Sequence, residues 1–337
     1  MEKKRLNLAM QGGGAHGAFT WGVLDRLLEE RDLEIVGVSG TSAGAVNGAC
    51  LVSGLIRGGN EAARETLYEF WRKNSESQVL SLMQPTMVDK MFSRGNIEFN
   101  PFYQVFSLVS KYLSPYEFNP LMINPLKDLL VELIDFAAIQ KEERHKLFLT
   151  ATNIRTSKVK IFSNAEITAD AVCASCCLPQ LFQAIEIDGD LYWDGGYIGN
   201  PAMFPLFQHT QCTDLLLIQI DSINYSKIPQ KIAEIMDRAT DISFNSSLMR
   251  EMRAVCFVTD IIDKGFTDNG RLVKTNMHYI GTGDLMNDYN GSSKMNVDWD
   301  WLSYLRENGR NRAEAWVREH YGKVGKEDSC DVGCLFM

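Results

Sequence analysis

Two short apolar runs constrain this chain most, because each ends in a glycine-rich turn and each leads into a helical pattern. Leu6 to Met10 runs into Gln11-Gly12-Gly13-Gly14, and Ile35 to Ser39 runs into Gly40-Thr41-Ser42-Ala43-Gly44. Phe19, Val23, Leu24, Leu27 and Leu28 then recur at helical spacing, and small and apolar residues follow the second turn as far as Ile56. Strand, helix, strand, helix predicts a mainly parallel sheet covered by helices on both faces, an α/β fold. Further strands are expected at Lys146 to Asn153, Val159 to Ser163 and Thr213 to Ile220, with a hairpin turning at Asp188-Gly189. Helical patterns cover Asn60 to Lys73, Pro125 to Phe136, a long region from Pro229, and Trp299 to His320.

The alternation lapses between Ser75 and Pro125, where five prolines punctuate a stretch rich in Met, Phe, Tyr and Leu. Without repeats or low-complexity tracts, the reading is one domain over residues 1–322, with 75–125 as an inserted cap and 323–337 as a flexible tail. In the cap, Leu80, Leu82, Met83, Met87, Met91, Phe92, Phe102, Tyr103, Phe106 and Leu113 read first as core cover. The same residues are candidates to line an acyl-chain pocket or to touch a bilayer.

The net charge of -9 argues against a nucleic-acid partner, which needs clustered Lys and Arg. No apolar stretch reaches the roughly 20 residues of a membrane span. The run after Lys3-Lys4-Arg5 stops at Met10, too short for a signal-peptide core. The expectation is a mature chain starting at Met1, cytoplasmic, in peripheral contact with membrane. Cys173, Cys176 and Cys177 form the one tight group among eight cysteines and lack a second ligand pair. They read as buried thiols, and no metal is expected.

Gly12, Gly14 and Gly17 satisfy the G-x-G-x-x-G spacing of a dinucleotide turn. That turn also requires an acid at the end of the second strand, where this chain has Ser39 to Gly44. A phosphate loop fails too, since no Gly-Lys-Ser/Thr follows Gly17. No cofactor is therefore expected. What stands at the strand end is G-x-S-x-G, a strained turn in which Gly40 and Gly44 let Ser42 project over a helix N-terminus as a nucleophile. The N–H groups of Gly12, Gly13 and Gly14 are placed to serve as its oxyanion hole.

The base has two readings. Ser42, Asp194 and either His209 or His278 would reproduce the α/β-hydrolase order, although one strand–helix unit precedes Ser42 where that fold has several. Alternatively Asp194, in Trp193-Asp194-Gly195-Gly196, takes the serine proton directly. A carboxylate needs desolvation to become basic enough for this. Asp188 and Asp190 read as solvated turn residues.

With Gln11 to Gly17, Gly40 to Gly44 and Asp194 to Gly196 in this order, the chain resembles the patatin-like phospholipases over about residues 5–220. Ala174-Ser175-Cys176-Cys177-Leu178-Pro179, followed by Phe182, matches a fourth block. The resemblance implies a three-layer sandwich with an apolar cap, and a Ser42–Asp194 dyad without histidine. It also implies an oxyanion hole from the glycine loop, and metal-free, cofactor-free hydrolysis of phospholipid or lysophospholipid esters at a membrane or micelle interface. A serine esterase of neutral lipid or storage polyester and a silent lipid-binding protein are the alternatives. The family's loop usually carries Arg or Lys where this chain has His16, so His16 is a candidate to orient the loop or bind a head group when protonated. Cys334-Leu335-Phe336-Met337 fits a C-a-a-X lipidation pattern, with Cys330 as a second lipid site.

Overall fold

A computed structural model describes residues 3–77, 83–93, 95–225, 228–266 and 272–337. The first half alternates as β1 (Lys4–Met10), α1 (Gly17–Leu27), β2 (Leu33–Gly40) and α2 (Ala43–Glu76), the last kinked at Gly58 and Gly59. Five short helices follow, α3 (Met87–Phe92), α4 (Pro101–Tyr112), α5 (Pro115–Phe118), α6 (Pro125–Leu133) and α7 (Phe136–Lys141). The sheet then resumes with β3 (Lys146–Asn153) and β4 (Val159–Ser163), and α8 (Ala169–Ser175) leads to the hairpin β5 (Ile185–Ile187) and β6 (Asp190–Asp194). The last third comprises α9 (Phe204–His209), β7 (Asp214–Gln219), α10 (Ile232–Asp263), β8 (Asn276–Gly281), α11 (Trp299–His320) and α12 (Val332–Phe336).

The strands form one sheet in the order β5-β6-β3-β2-β1-β7-β8, with β4 also on β3. β3, β2, β1, β7 and β8 run parallel, and β4, β5 and β6 run antiparallel at one side. Central strands are buried on both faces, so they read as continuous apolar runs. Their side chains nevertheless alternate between two cores. Leu6, Leu8, Met10, Leu216 and Ile218 pack under α1, α2 and α11, whereas Ala9, Leu215 and Leu217 pack under α9, α10 and α12. The result is the expected three-layer α/β sandwich. Asp25 of α1, 3 % exposed, bonds Arg64 at 2.8 Å and Arg306 at 2.7 Å, tying α2 and α11 to the first helix.

Sheet register brings the motifs together. Met10 stands opposite Gly40, so the glycine loop and the serine turn leave adjacent strands side by side. Gly40 pairs with Leu149, and Ala151, two residues on, pairs with Asp194. Asp194 therefore lies at the height reached by Ser42, two residues beyond Gly40.

The cap is more exposed than core cover would be. Met83 and Ile97 are buried, but α4 buries no residue, and Met87, Met91, Phe92, Tyr112 and Leu121 are 74–85 % exposed. Leu80 and Leu82 lie outside the described residues. No described helix is long and apolar enough to cross a membrane.

The tail differs from the loose end expected. Ser329 N–H donates to Met277 O at 3.0 Å, and Asp328 Oδ1 accepts from Met277 N–H at 2.6 Å, which occupies the outer edge of β8. Phe336 is 2 % exposed and packs edge-on against Tyr279. Cys334 is exposed, and Cys330 Sγ lies 3.4 Å from Met277 O. Docking needs only one large apolar side chain and a few backbone bonds, too little to mark a fifteen-residue sequence as ordered.

Candidate active site

Ser42 has φ 53° and ψ −121°, a conformation that L-residues rarely adopt and that cost of order 1–3 kcal/mol elsewhere. Its surroundings enforce it. A Cβ on Gly40 would overlap Gly44 O, and one on Gly44 would overlap Met10 O, so larger residues at either place would open the turn. Ser42 O accepts from Ala45 N–H at 2.8 Å and Val46 N–H at 3.1 Å, which seats the serine on the positive end of α2. Two contacts unforeseen from the motifs fix the turn from outside. Ser42 N–H donates to Ser175 Oγ at 2.9 Å, and Thr41 Oγ donates to Gly199 O at 2.6 Å.

Asp194 is fully buried. Oδ1 accepts from Gly196 N–H at 2.7 Å, while Oδ2 has no hydrogen-bond partner among the described residues. Burial pushes the carboxyl up to about 7, against the opposing pull of the Gly196 N–H and the Ser42 hydroxyl. The Ser42 hydroxyl is thus near enough to the Asp194 carboxyl to act on it, while Oδ2 is left without a donor.

The histidine reading of the base is overturned. His278 Nε2 pairs with Asp214 Oδ1 at 3.0 Å, His209 lies against Phe148, and His145 Nδ1 bonds Ile35 O at 2.6 Å. None of them is a partner of Asp194 or Ser42.

The glycine loop crosses Ser42 so closely that a Cβ on Gly12 would stand 2.6 Å from Ser42 Cβ. One expected oxyanion donor is already committed, since Gly12 N–H donates to Asn200 Oδ1 at 2.7 Å. Gly13 and Gly14 keep their candidacy. Gln11, fully buried, clamps the base of the loop. Its Oε1 accepts from Ile220 N–H and Asp221 N–H, both at 2.8 Å, and its Nε2 donates to Asn245 Oδ1 at 2.7 Å.

His16 departs from expectation. It is 2 % exposed, its Nε2 lies 2.8 Å from Ser293 Oγ, and its ring meets Trp301 edge-on. Burial, and then the Lys294 charge, push its pKa well below 6.5, so at neutral pH the imidazole is uncharged. It cannot act as the protonated head-group ligand. The cation beside the loop is Lys294, with Nζ 2.9 Å from both Asp221 and Asp241. Among the described residues no cluster of three or more His, Cys, Asp or Glu could hold a metal ion.

A family model described as patatin-like phospholipase matches residues 8–206, a stretch that holds the glycine loop, the Ser42 turn and Asp194. The chain belongs to the patatin-like phospholipases. Uncharacterised NTE-family proteins of Mycobacterium bovis and Mycobacterium tuberculosis are 26 % identical to it over 203 residues, 60 % of this chain and 45 % of theirs. The match thus spans about half the length of these curated relatives. A crystal structure of VipD from Legionella pneumophila is similar over 95 % of this chain and 67 % of its own, with a TM-score of 0.42 and 15 % identity.

In this patatin-like chain Asn200 joins the segment after Asp194 to the glycine loop. Gly12 N–H can only donate, which fixes the oxygen of the buried Asn200 amide toward it. Asn200→Ala frees Gly12 and loosens the loop, and should lower kcat about tenfold with KM little changed. Asn200→Asp puts a negative charge beside the glycine loop and should cost more than the alanine. Steady-state kinetics on a soluble ester separate the two. Equal and near-normal kcat values would make the contact merely structural.

Proposed function

We propose that the protein is a serine carboxylic-ester hydrolase of the phospholipase A or lysophospholipase type. The observation that carries this is a buried, half-unpaired carboxylate facing a serine held in a strained turn. Ser42 Oγ attacks the ester carbonyl while its proton passes to Asp194 Oδ2. The Gly13 and Gly14 N–H groups receive the oxyanion. Collapse of the tetrahedral intermediate expels the alkoxide, which takes the proton from Asp194. Asp194 then deprotonates a water that releases the acyl group, and Ser42 regains its proton. A carboxyl group titrating near neutrality suits both directions of this transfer.

The exposed cap supports a lipid aggregate as the source of substrate. Met87, Met91, Phe92 and Leu121 form apolar surface that lipid would cover. The cap also reaches the segment before Asp194, since Gln183 Nε2 donates to Asn119 O at 2.8 Å. Eight free cysteines fit a reducing, cytoplasmic compartment.

A panel of phospholipid, lysophospholipid and triacylglycerol tests the substrate class, with fatty-acid release as the readout. Release from triacylglycerol alone would defeat the phospholipid reading. Met91→Ser with Phe92→Ser should lower hydrolysis of vesicle lipid several-fold and leave a soluble short-chain ester unaffected. Equal effects on both substrates would remove the cap from the interface.

A further inference from the structure

Beside the glycine loop lies an ionised recess that the ester chemistry does not use. Its volume is about 140 Å³, and it lies between Asp221, the start of α10 and the turn Gly291–Met295. Four carboxylates line it, Asp221, Glu234, Asp237 and Asp241, against two cations, Arg238 and Lys294. Both cations are engaged within the chain. Lys294 bridges Asp221 and Asp241, and Arg238 donates to Ser222 O and Ile223 O. The lining as a whole favours a cation from outside.

Two of its acceptors are unpaired. Asp221 is 5 % exposed, and its Oδ2 receives no hydrogen bond from any described residue. His16 is 2 % exposed, and its Nδ1 is in the same position. The tautomer follows from its neighbours. Ser293 Oγ donates its one proton to Asn290 O at 2.7 Å, so it can only accept from His16, at 2.8 Å. Nε2 therefore carries the imidazole proton, and Nδ1 presents a lone pair. Buried acceptors left without donors are costly, and a ligand that supplies N–H groups recovers that cost.

We propose that this recess binds a primary ammonium group, whose N–H donors meet Asp221 Oδ2 and His16 Nδ1 while its charge matches the acidic lining. A quaternary ammonium has the same charge and no N–H, so it satisfies neither acceptor. The volume far exceeds the roughly 10–15 Å³ that one water needs, so a group of several heavy atoms fits. The recess also abuts the catalytic loop, because a Cβ on Gly14 would overlap Lys294 O. The ammonium comes either from a free amine or from the head group of an aminophospholipid. The second source rests on the reading of the chain as a phospholipid hydrolase.

Calorimetric titration with ethanolamine and with choline tests the site without relying on catalysis. Ethanolamine should bind about tenfold or more tightly than choline. The Ser42→Ala protein should bind ethanolamine as well as wild type does, so the result stands whether or not the chain cleaves lipid. Asp221→Asn, which exchanges an acceptor for a donor, should weaken ethanolamine about tenfold. Asp237→Asn, which lowers the charge and leaves both acceptors, should weaken it less. Equal binding of the two amines, or binding of neither, overturns the proposal. Hydrolysis of matched phosphatidylethanolamine and phosphatidylcholine vesicles then separates the sources. A preference for the former that disappears in Asp221→Asn assigns the site to the head group, and ethanolamine binding without that preference assigns it to a free amine.

Discussion

Ser42→Ala should abolish labelling by a fluorophosphonate and lower ester hydrolysis by about 10⁴-fold or more. The alanine leaves the glycine loop and its N–H groups in place, so any residual rate measures what they and substrate binding supply without a nucleophile. A second substitution separates chemistry from strain. Ser42→Gly should be equally inactive, yet it fits φ 53° without cost and should stabilise the protein by about 1 kcal/mol. Denaturant unfolding of the two variants reads the difference. Hydrolysis that survives Ser42→Ala while labelling disappears would place the nucleophile elsewhere.

Asp194→Asn, which removes the proposed base, should lower kcat about 10³- to 10⁴-fold, with a gain in stability above neutral pH. The sign follows from the raised pKa. Between 3.8 and about 7 the folded protein holds a proton on Asp194 that the unfolded chain has lost. Stability therefore falls as pH rises through that window, and the loss is complete above it. A rise of that size corresponds to at most roughly 4 kcal/mol, all of which the neutral asparagine avoids. Thermal midpoints of wild type and variant should thus coincide near pH 4 and diverge by pH 8. In wild type kcat/KM should rise with pH to a plateau above about 7, because the proposed base acts in its carboxylate form. His16 is buried and neutral, so it adds no falling limb near its ordinary pKa of 6.5. Parallel midpoints across pH would show that Asp194 is not the group that burial perturbs.

The parts of the site legible in the sequence are those whose constraints are local. Gly40, Ser42 and Gly44 form one tight turn, and Asp194 precedes two glycines within one hairpin. The roles of Gln11, Ser175 and Asn200 are not legible, because each acts through a side-chain bond to a distant segment. Gln11 reaches Asn245, 234 residues away, and Asn200 reaches Gly12 across 188. His16 misleads for the same reason. A histidine in a glycine loop suggests an exposed, protonatable group, but Ser293 and Trp301 close over it. β8 is not legible in the sequence because Met277, His278 and Tyr279 make no apolar run. His278 is fully buried there through its bond to Asp214.

The pairing of β1 with β7 has a consequence for where this protein can be divided. The match to the family model ends at residue 206, yet the strand that carries the glycine loop has β7, beginning at Asp214, as its neighbour on one side. A fragment ending at 206 would leave the unpaired backbone of β1 facing water along with apolar side chains meant for α10 and α11, a surface prone to recruit other chains. The stretch that can be recognised is shorter than the stretch that can fold.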